Sequence, residues 1–208
     1  GDADLGKAEC LAPGLDTLGQ RGPIDGVAFL HSPETTISLD LPDEAASVAL
    51  AAQLAPCLRP GVVVYLDGDL GAGKTTLVRA MLRAQGHAGP VKSPTYSLVE
   101  IYVVSSLYWY HFDFYRFNHP EEFDDAGLGE YFRSDSVCLV EWPGKAAGFV
   151  PAADLIVALE FPGNDASAGR RITLSAQSDT GAACLSAFRI ARVASCSTSP
   201  AAPRSSSS

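Results

Sequence analysis

Lys74 and Thr75 close an eight-residue run, Gly68-Asp69-Leu70-Gly71-Ala72-Gly73-Lys74-Thr75, that fits the pattern G-x-x-x-x-G-K-[ST]. The chemistry of that pattern is phosphate binding. Its glycines let backbone N–H groups close around phosphate oxygens, a following helix end adds partial positive charge, and the lysine neutralises the outer phosphates. The Thr75 hydroxyl is then offered to Mg2+. Such a site also needs a carboxylate at the end of a neighbouring strand, to hold the metal directly or through water and to orient the attacking water. Two positions qualify. Glu141 ends the apolar run Val137-Cys138-Leu139-Val140, whose carboxyl end is expected beside the loop in an open α/β sheet. Asp113 lies in Tyr110-His111-Phe112-Asp113-Phe114-Tyr115-Arg116, where a carboxylate among aromatics is costly unless paired or near a metal. A salt bridge to Arg116 or another base is the plainer account of Asp113.

Ser93, Thr95 and Ser97 are either an ordinary turn or the hydroxyls of a segment that meets the terminal phosphate. Trp142 packs by default, and beside a ligand it would wall the pocket. Cys10, Cys57, Cys138, Cys184 and Cys196 are scattered and never form C-x-x-C, so neither a disulfide framework nor a zinc site is expected. His31, His87, His111 and His119 show no metal-ligand spacing, and His111 draws interest only through its neighbours.

The elements that must position these residues are legible around the loop. Val62 to Leu66 is a short, β-branched, apolar run, which reads as a strand buried on both faces. Leu77, Val78, Met81 and Leu82 set one apolar stripe on a helix that Gly86 can end. Upstream, the alternation of Ile37, Leu39 and Leu41 suits a strand, and Pro42, Asp43 and Glu44 then open a helix carrying Val48, Leu50 and Leu54, which Pro56 disturbs. Downstream, Leu98 to Val104 and Leu107 to Phe114 form a hairpin through Ser105 and Ser106. The acidic stretch from His119 to Phe132 reads as helical. A second hairpin joins Leu155 to Phe161 with Arg171 to Leu174 through a Gly, Asn and Asp turn. The expected fold is α/β, a three-layer phosphate-loop NTPase-like arrangement of a mixed central sheet flanked by helices.

At 208 residues and 47% hydrophobic content the chain suffices for one domain with a substantial core. That domain is expected over 36–193. A loose Gly, Pro, Asp and Ala-rich extension precedes it over 1–35, and a Ser, Pro and Ala-rich tail without fixed structure follows over 194–208. A net charge of −9 and an isoelectric point near 4.8 oppose tight direct binding to a polyanion. If the chain serves RNA, it is expected to do so through another protein. No apolar run approaches a membrane span and no basic-then-apolar leader opens the chain, so a cytoplasmic, membrane-free protein is expected.

Four segments in order, Gly-Asp-Leu-Gly-Ala-Gly-Lys-Thr-Thr at 68–76, Lys-Ser-Pro-Thr-Tyr-Ser at 92–97, His-Phe-Asp-Phe-Tyr-Arg at 111–116 and Val-Glu-Trp-Pro at 140–143, resemble the TsaE family, the ATPase component of bacterial tRNA threonylcarbamoyladenosine synthesis. The likeness runs from about residue 36 to about residue 193. It implies ATP and Mg2+ as cofactors, slow hydrolysis by the chain alone, and association with TsaD and TsaB, the pair that modifies the adenosine beside the anticodon. Carried over by position, Lys74 would hold the phosphates, Thr75 and Glu141 would ligate Mg2+, and Asp113 would be needed for hydrolysis. Asp69, Leu70, Gly71, Ala72 and Gly73 belong to the same loop, and Thr76, Thr95 and Trp142 would line or support the site. Glu44 and Arg170 match positions near the nucleoside end. The chain departs from the family pattern at its two ends and in a longer stretch between Trp142 and Arg170.

Two other readings compete. A small-metabolite kinase would share the strand, loop and helix, but its lid would need several arginines, and those after the loop are few and dispersed. A nucleotide-gated binding module would use the ATP-bound shape, with hydrolysis incidental. No Asn-Lys-x-Asp segment for reading guanine is present.

Overall fold

The computed structural model describes residues 35–161 and 169–197. The expected amino-terminal extension (apart from Thr35), the Gly163, Asn164 and Asp165 turn and residues 198–208 of the expected tail lie outside the described residues.

In chain order the elements are β1 (Thr36–Leu41), α1 (Glu44–Leu54), β2 (Val63–Asp67), α2 (Lys74–Ala84), β3 (Val99–Val104), β4 (Leu107–Asp113), α3 (Glu122–Asp125), β5 (Ser136–Glu141), β6 (Leu155–Glu160), β7 (Arg170–Ala176) and α4 (Asp179–Ser197). The seven strands form one mixed sheet in the order β1-β7-β6-β2-β5-β4-β3. Its centre is parallel: β2 lies between β6 and β5, and β5 pairs in parallel with β4. Antiparallel strands complete both sides, β7 and β1 on one and β3 on the other. The centre is where the apolar runs are least interrupted, since every residue of β5 is buried. Strands covered on both faces require this.

Helices α1, α2 and α4 cover one face. Their Leu50, Leu54, Leu77, Val78, Met81, Leu185 and Phe188 share one core with Val64, Leu66, Leu139, Val157 and Leu174 of the sheet. The other face buries a second cluster in which Phe112, Phe114, Phe117 and Phe123 pack with Val63, Cys138 and Val140. On that face the helices are short.

The structure departs from several expectations. In α1 the buried positions are Ser47, Leu50, Ala51 and Leu54, while Val48 is exposed. Asp43 caps this helix by accepting the Ala46 N–H at 2.7 Å. The stretch 119–132 does not form one helix: α3 gives way at Gly127, in the left-handed region at φ 65°, to a 3₁₀ turn over Leu128–Tyr131. Both hairpins are present as antiparallel ladders. Helix α4 has no counterpart among the elements expected from the sequence. Cys184, Leu185 and Phe188 lie on its buried side, and it runs past Val193 to Ser197, beyond the point where the tail was expected to begin. No helix among the described residues is long and apolar enough to cross a membrane.

Candidate functional site

The loop between β2 and α2 occupies the carboxyl end of the parallel strands. Gly68 leaves β2 at φ 139°, and a Cβ there would collide with the Leu159 carbonyl oxygen of β6. Only glycine fits so close an approach. Gly73, at φ 106°, is the N-cap of α2, so the loop turns into the helix through a left-handed residue. The first N–H groups of α2 therefore point into the loop, as an anion site requires.

Lys74 begins α2 and is 4% exposed. Its Nζ donates to the carbonyls of Gly68 and Asp69 and lies 4.1 Å from the centre of the Trp142 ring. Burial pulls this ammonium below the ordinary lysine range, while the carboxylates of Glu141, Asp113, Asp67 and Asp69 act the other way. Trp142 reaches over the lysine from a left-handed backbone, φ 59°, just after β5. A non-glycine residue held there costs of order 1 kcal/mol and marks a position where the surroundings fix the ring.

Register brings the two carboxylates together. Asp113 of β4 pairs with Glu141 of β5, and Glu141 pairs with Leu66 of β2, one residue before the strand ends. Glu141 Oε1 accepts the Thr75 hydroxyl at 2.8 Å and faces His111 Nε2, also at 2.8 Å. Asp113 makes no salt bridge to Arg116. Its Oδ2 accepts from the hydroxyls of Ser93 and of Thr95, the latter at 2.8 Å, and its Oδ1 accepts the Tyr115 N–H at 2.9 Å. Arg116 instead sits 4.2 Å from the ring of Tyr96. The segment 93–98 is thus fastened to a site carboxylate, and it closes with the Leu98 N–H on the Pro94 carbonyl at 2.7 Å and Leu98 at φ 64°.

Two cavities meet at this loop. One, of about 390 Å³, is lined by Leu70, Gly71, Gly73, Lys74, Thr75, Thr76, Ser93, Thr95, Asp113, Tyr115, Glu141 and Trp142. The other, of about 280 Å³, is lined by Gly71, Ala72, Gly73, Thr76, Leu159 and Gly169 with Pro42, Asp43, Glu44, Ser47 and Arg170. They share Gly71, Gly73 and Thr76, so a ligand with its charged tail in the first could carry its body into the second. Arg170 is tied to the loop: its Nε donates to the Ala72 carbonyl at 3.1 Å, and its guanidinium lies 4.2 Å from the Phe161 ring. Asp69 lines neither of these cavities and instead borders a third hollow with Asp67, Gly68 and Glu160. Ser97 also turns away, donating to Glu100 at 3.1 Å.

Thr75 and Glu141 offer two hard oxygen donors on the wall of the larger cavity, which fits Mg2+. That ion takes one or two protein oxygens and completes its shell with phosphates and water. The family model described as Threonylcarbamoyl adenosine biosynthesis protein TsaE matches residues 41–172. The chain belongs to the TsaE family. It is 45% identical over 153 residues to the tRNA threonylcarbamoyladenosine biosynthesis protein TsaE of Haemophilus influenzae, covering 71% of this chain and 94% of that protein. To the Bacillus subtilis protein of the same description it is 38% identical over 128 residues, 62% of this chain and 78% of the other. The crystal structure of Bacillus subtilis YdiB superposes with a TM-score of 0.63 at 28% identity, over 74% of this chain and 95% of that one. The TsaE match runs from the last residue of β1 into β7 and so contains the loop, both carboxylates and Arg170.

Sequence reasoning passed over some wall residues of this TsaE family member. Tyr115 gave no signal beyond its aromatic surroundings. Ser47, Leu159 and Gly169 come from elements distant in sequence and could be found only through the sheet order.

Proposed function

We propose that this chain binds ATP with Mg2+ and hydrolyses it, serving tRNA N6-threonylcarbamoyladenosine biosynthesis beside the TsaD and TsaB transferase proteins. The observation that carries this reading is the convergence of Lys74, Thr75, Asp113 and Glu141 on one cavity at the carboxyl end of the parallel strands, in a chain whose family is named for that pathway. When bound, the metal would neutralise charge on the outer phosphates. Thr75 and Glu141 would hold the metal, Lys74 would add a further positive charge at the phosphates, and the loop N–H groups would fix the phosphate chain. Asp113 keeps the hydroxyls of Ser93 and Thr95 at the cavity wall, where they can respond to the terminal phosphate and orient water. Glu44 and Arg170 flank the cavity suited to the nucleoside. The negative charge of the chain leaves the tRNA to the partners.

Gating by the ATP-bound shape is a second reading, favoured by the donors on Asp113, which belong to chain segments and not to a free proton path. One experiment addresses both. ATP consumption by the purified chain is measured alone and with TsaD, TsaB and tRNA, and strong stimulation by the assembly is expected. With Asp113→Ala, ATP binding persists and tRNA modification stops after a single round. Multiple normal rounds would favour gating, and efficient phosphorylation of a small metabolite would overturn both readings.

A further inference from the structure

His111 is a buried polar group for which the proposed chemistry supplies no role. It stands two residues before Asp113 on β4, so both side chains project from the same face of the strand. The parallel register pairs it with Leu139, two residues before Glu141, which places it diagonally below the Glu141 carboxylate. It is fully buried and Glu141 is 3% exposed. Its Nε2 is 2.8 Å from Glu141 Oε1, and its Nδ1 is buried with no hydrogen-bond partner among the described residues.

We propose that His111 is a positioning residue that holds Glu141 in the orientation needed to bind Mg2+. The inference rests on the reading of Glu141 as a metal ligand. A carboxylate so deeply buried needs donors, and among the described residues Glu141 has two, both on Oε1: the Thr75 hydroxyl and the His111 imidazole. Thr75 is itself read as a metal ligand, and its hydroxyl could keep donating to Oε1 while a lone pair faces the ion. His111 is the donor on Oε1 that takes no part in holding the metal, and both donors sit on that one oxygen of a carboxylate that lines the cavity. Because a carboxylate only accepts, Nε2 is the donor in this contact, and Nδ1 is left without a partner among the described residues. That orphaned nitrogen argues against a packing role, since an apolar residue would fill the same space with nothing left unsatisfied.

The test uses the whole chain and calorimetric titration with ADP, in EDTA and over a range of Mg2+ concentrations. His111→Leu removes both the donor and the orphaned nitrogen. Affinity in EDTA is expected to stay within about twofold of wild type, and the Mg2+ concentration needed for half the metal-dependent gain to rise about ten- to a hundredfold. The thermal midpoint is expected to fall only modestly, because the Thr75 hydroxyl still donates to Glu141. His111→Gln, whose amide N–H can reach the Nε2 position, should restore the Mg2+ response, and the shorter His111→Asn should not. Equal Mg2+ responses in wild type and His111→Leu would overturn the inference, as would a loss of affinity with and without Mg2+ that tracks a lowered thermal midpoint. Should His111→Leu not fold, a Gln variant no better than Asn would overturn it equally. If wild type binds ADP with no Mg2+ response, the metal reading falls and takes this inference with it, whereas a responsive wild type confines failure to His111.

Discussion

At Lys74 the demands of the proposed phosphate binding and of stability pull apart. Its ammonium is buried, and burial lowers its proton affinity despite four nearby carboxylates. A base whose folded-state pKa is depressed weakens the fold while it is charged, and that cost fades as pH rises through the folded value toward the ordinary lysine range. Lys74→Met is therefore expected to lower nucleotide affinity about ten- to a hundredfold in calorimetry, while the thermal midpoint of the unliganded chain stays level or rises. The carboxylates of this site were legible because Asp113 and Glu141 interrupt apolar runs, where an ionised group has no reason to be without a task. His111 was not legible as their companion. A histidine in an aromatic run looks the same whether it packs or donates, and only the β4 and β5 register decides between them.

Single elements show how the chain reaches this geometry. The turn between β3 and β4 has Ser105 at φ 50° and Ser106 at φ 68°, two left-handed residues in succession, which is the type I′ geometry of a two-residue hairpin. Serine is a poor choice there. Replacing Ser105 and Ser106 by Asn and Gly should add about 1 kcal/mol, a rise in thermal midpoint of about 2–4 °C in a domain of this size, with nucleotide binding unchanged. Hairpins were readable from the sequence because alternation and turn residues are local signals. The 119–132 stretch misled because acidic residues favour helix starts, yet Gly127 breaks the run. Helix α4 escaped notice because its buried side is supplied largely by Cys184, Leu185 and Phe188 within a run of small residues that reads as weakly structured.

The molecule as a whole is joined at many points that are remote in sequence. Asp154 is one. Its Oδ2 accepts the Val63 N–H at 2.9 Å, its own N–H reaches the Val63 carbonyl at 2.8 Å, and its Oδ1 accepts from Ser178 just before α4. Asp154→Ala should cost about 2–3 kcal/mol and lower the urea midpoint, with little change in nucleotide affinity once folded. The cysteines give a second prediction at this scale. Burial pushes Cys138 from its ordinary 9.0 up to about 12 and also raises Cys57 and Cys184. The folded state holds these protons more tightly than the unfolded chain, so their contribution is complete below pH 9.0 and is lost as pH climbs toward about 12. Urea midpoints should fall over that window, and alkylation at neutral pH should spare all three thiols until the chain unfolds. The α/β class and the parallel centre could be anticipated from β2 and β5, but the order of the sheet could not, since strand neighbours such as β2 and β6 are separated by most of the domain.

Arg170 opens β7, yet its guanidinium ends on the Ala72 carbonyl. A strap therefore runs from the antiparallel border of the sheet to the cradle beside α2. Because one guanidinium spans the two, a displacement of β7 would be carried straight to the Ala72 carbonyl and hence to the backbone of the loop.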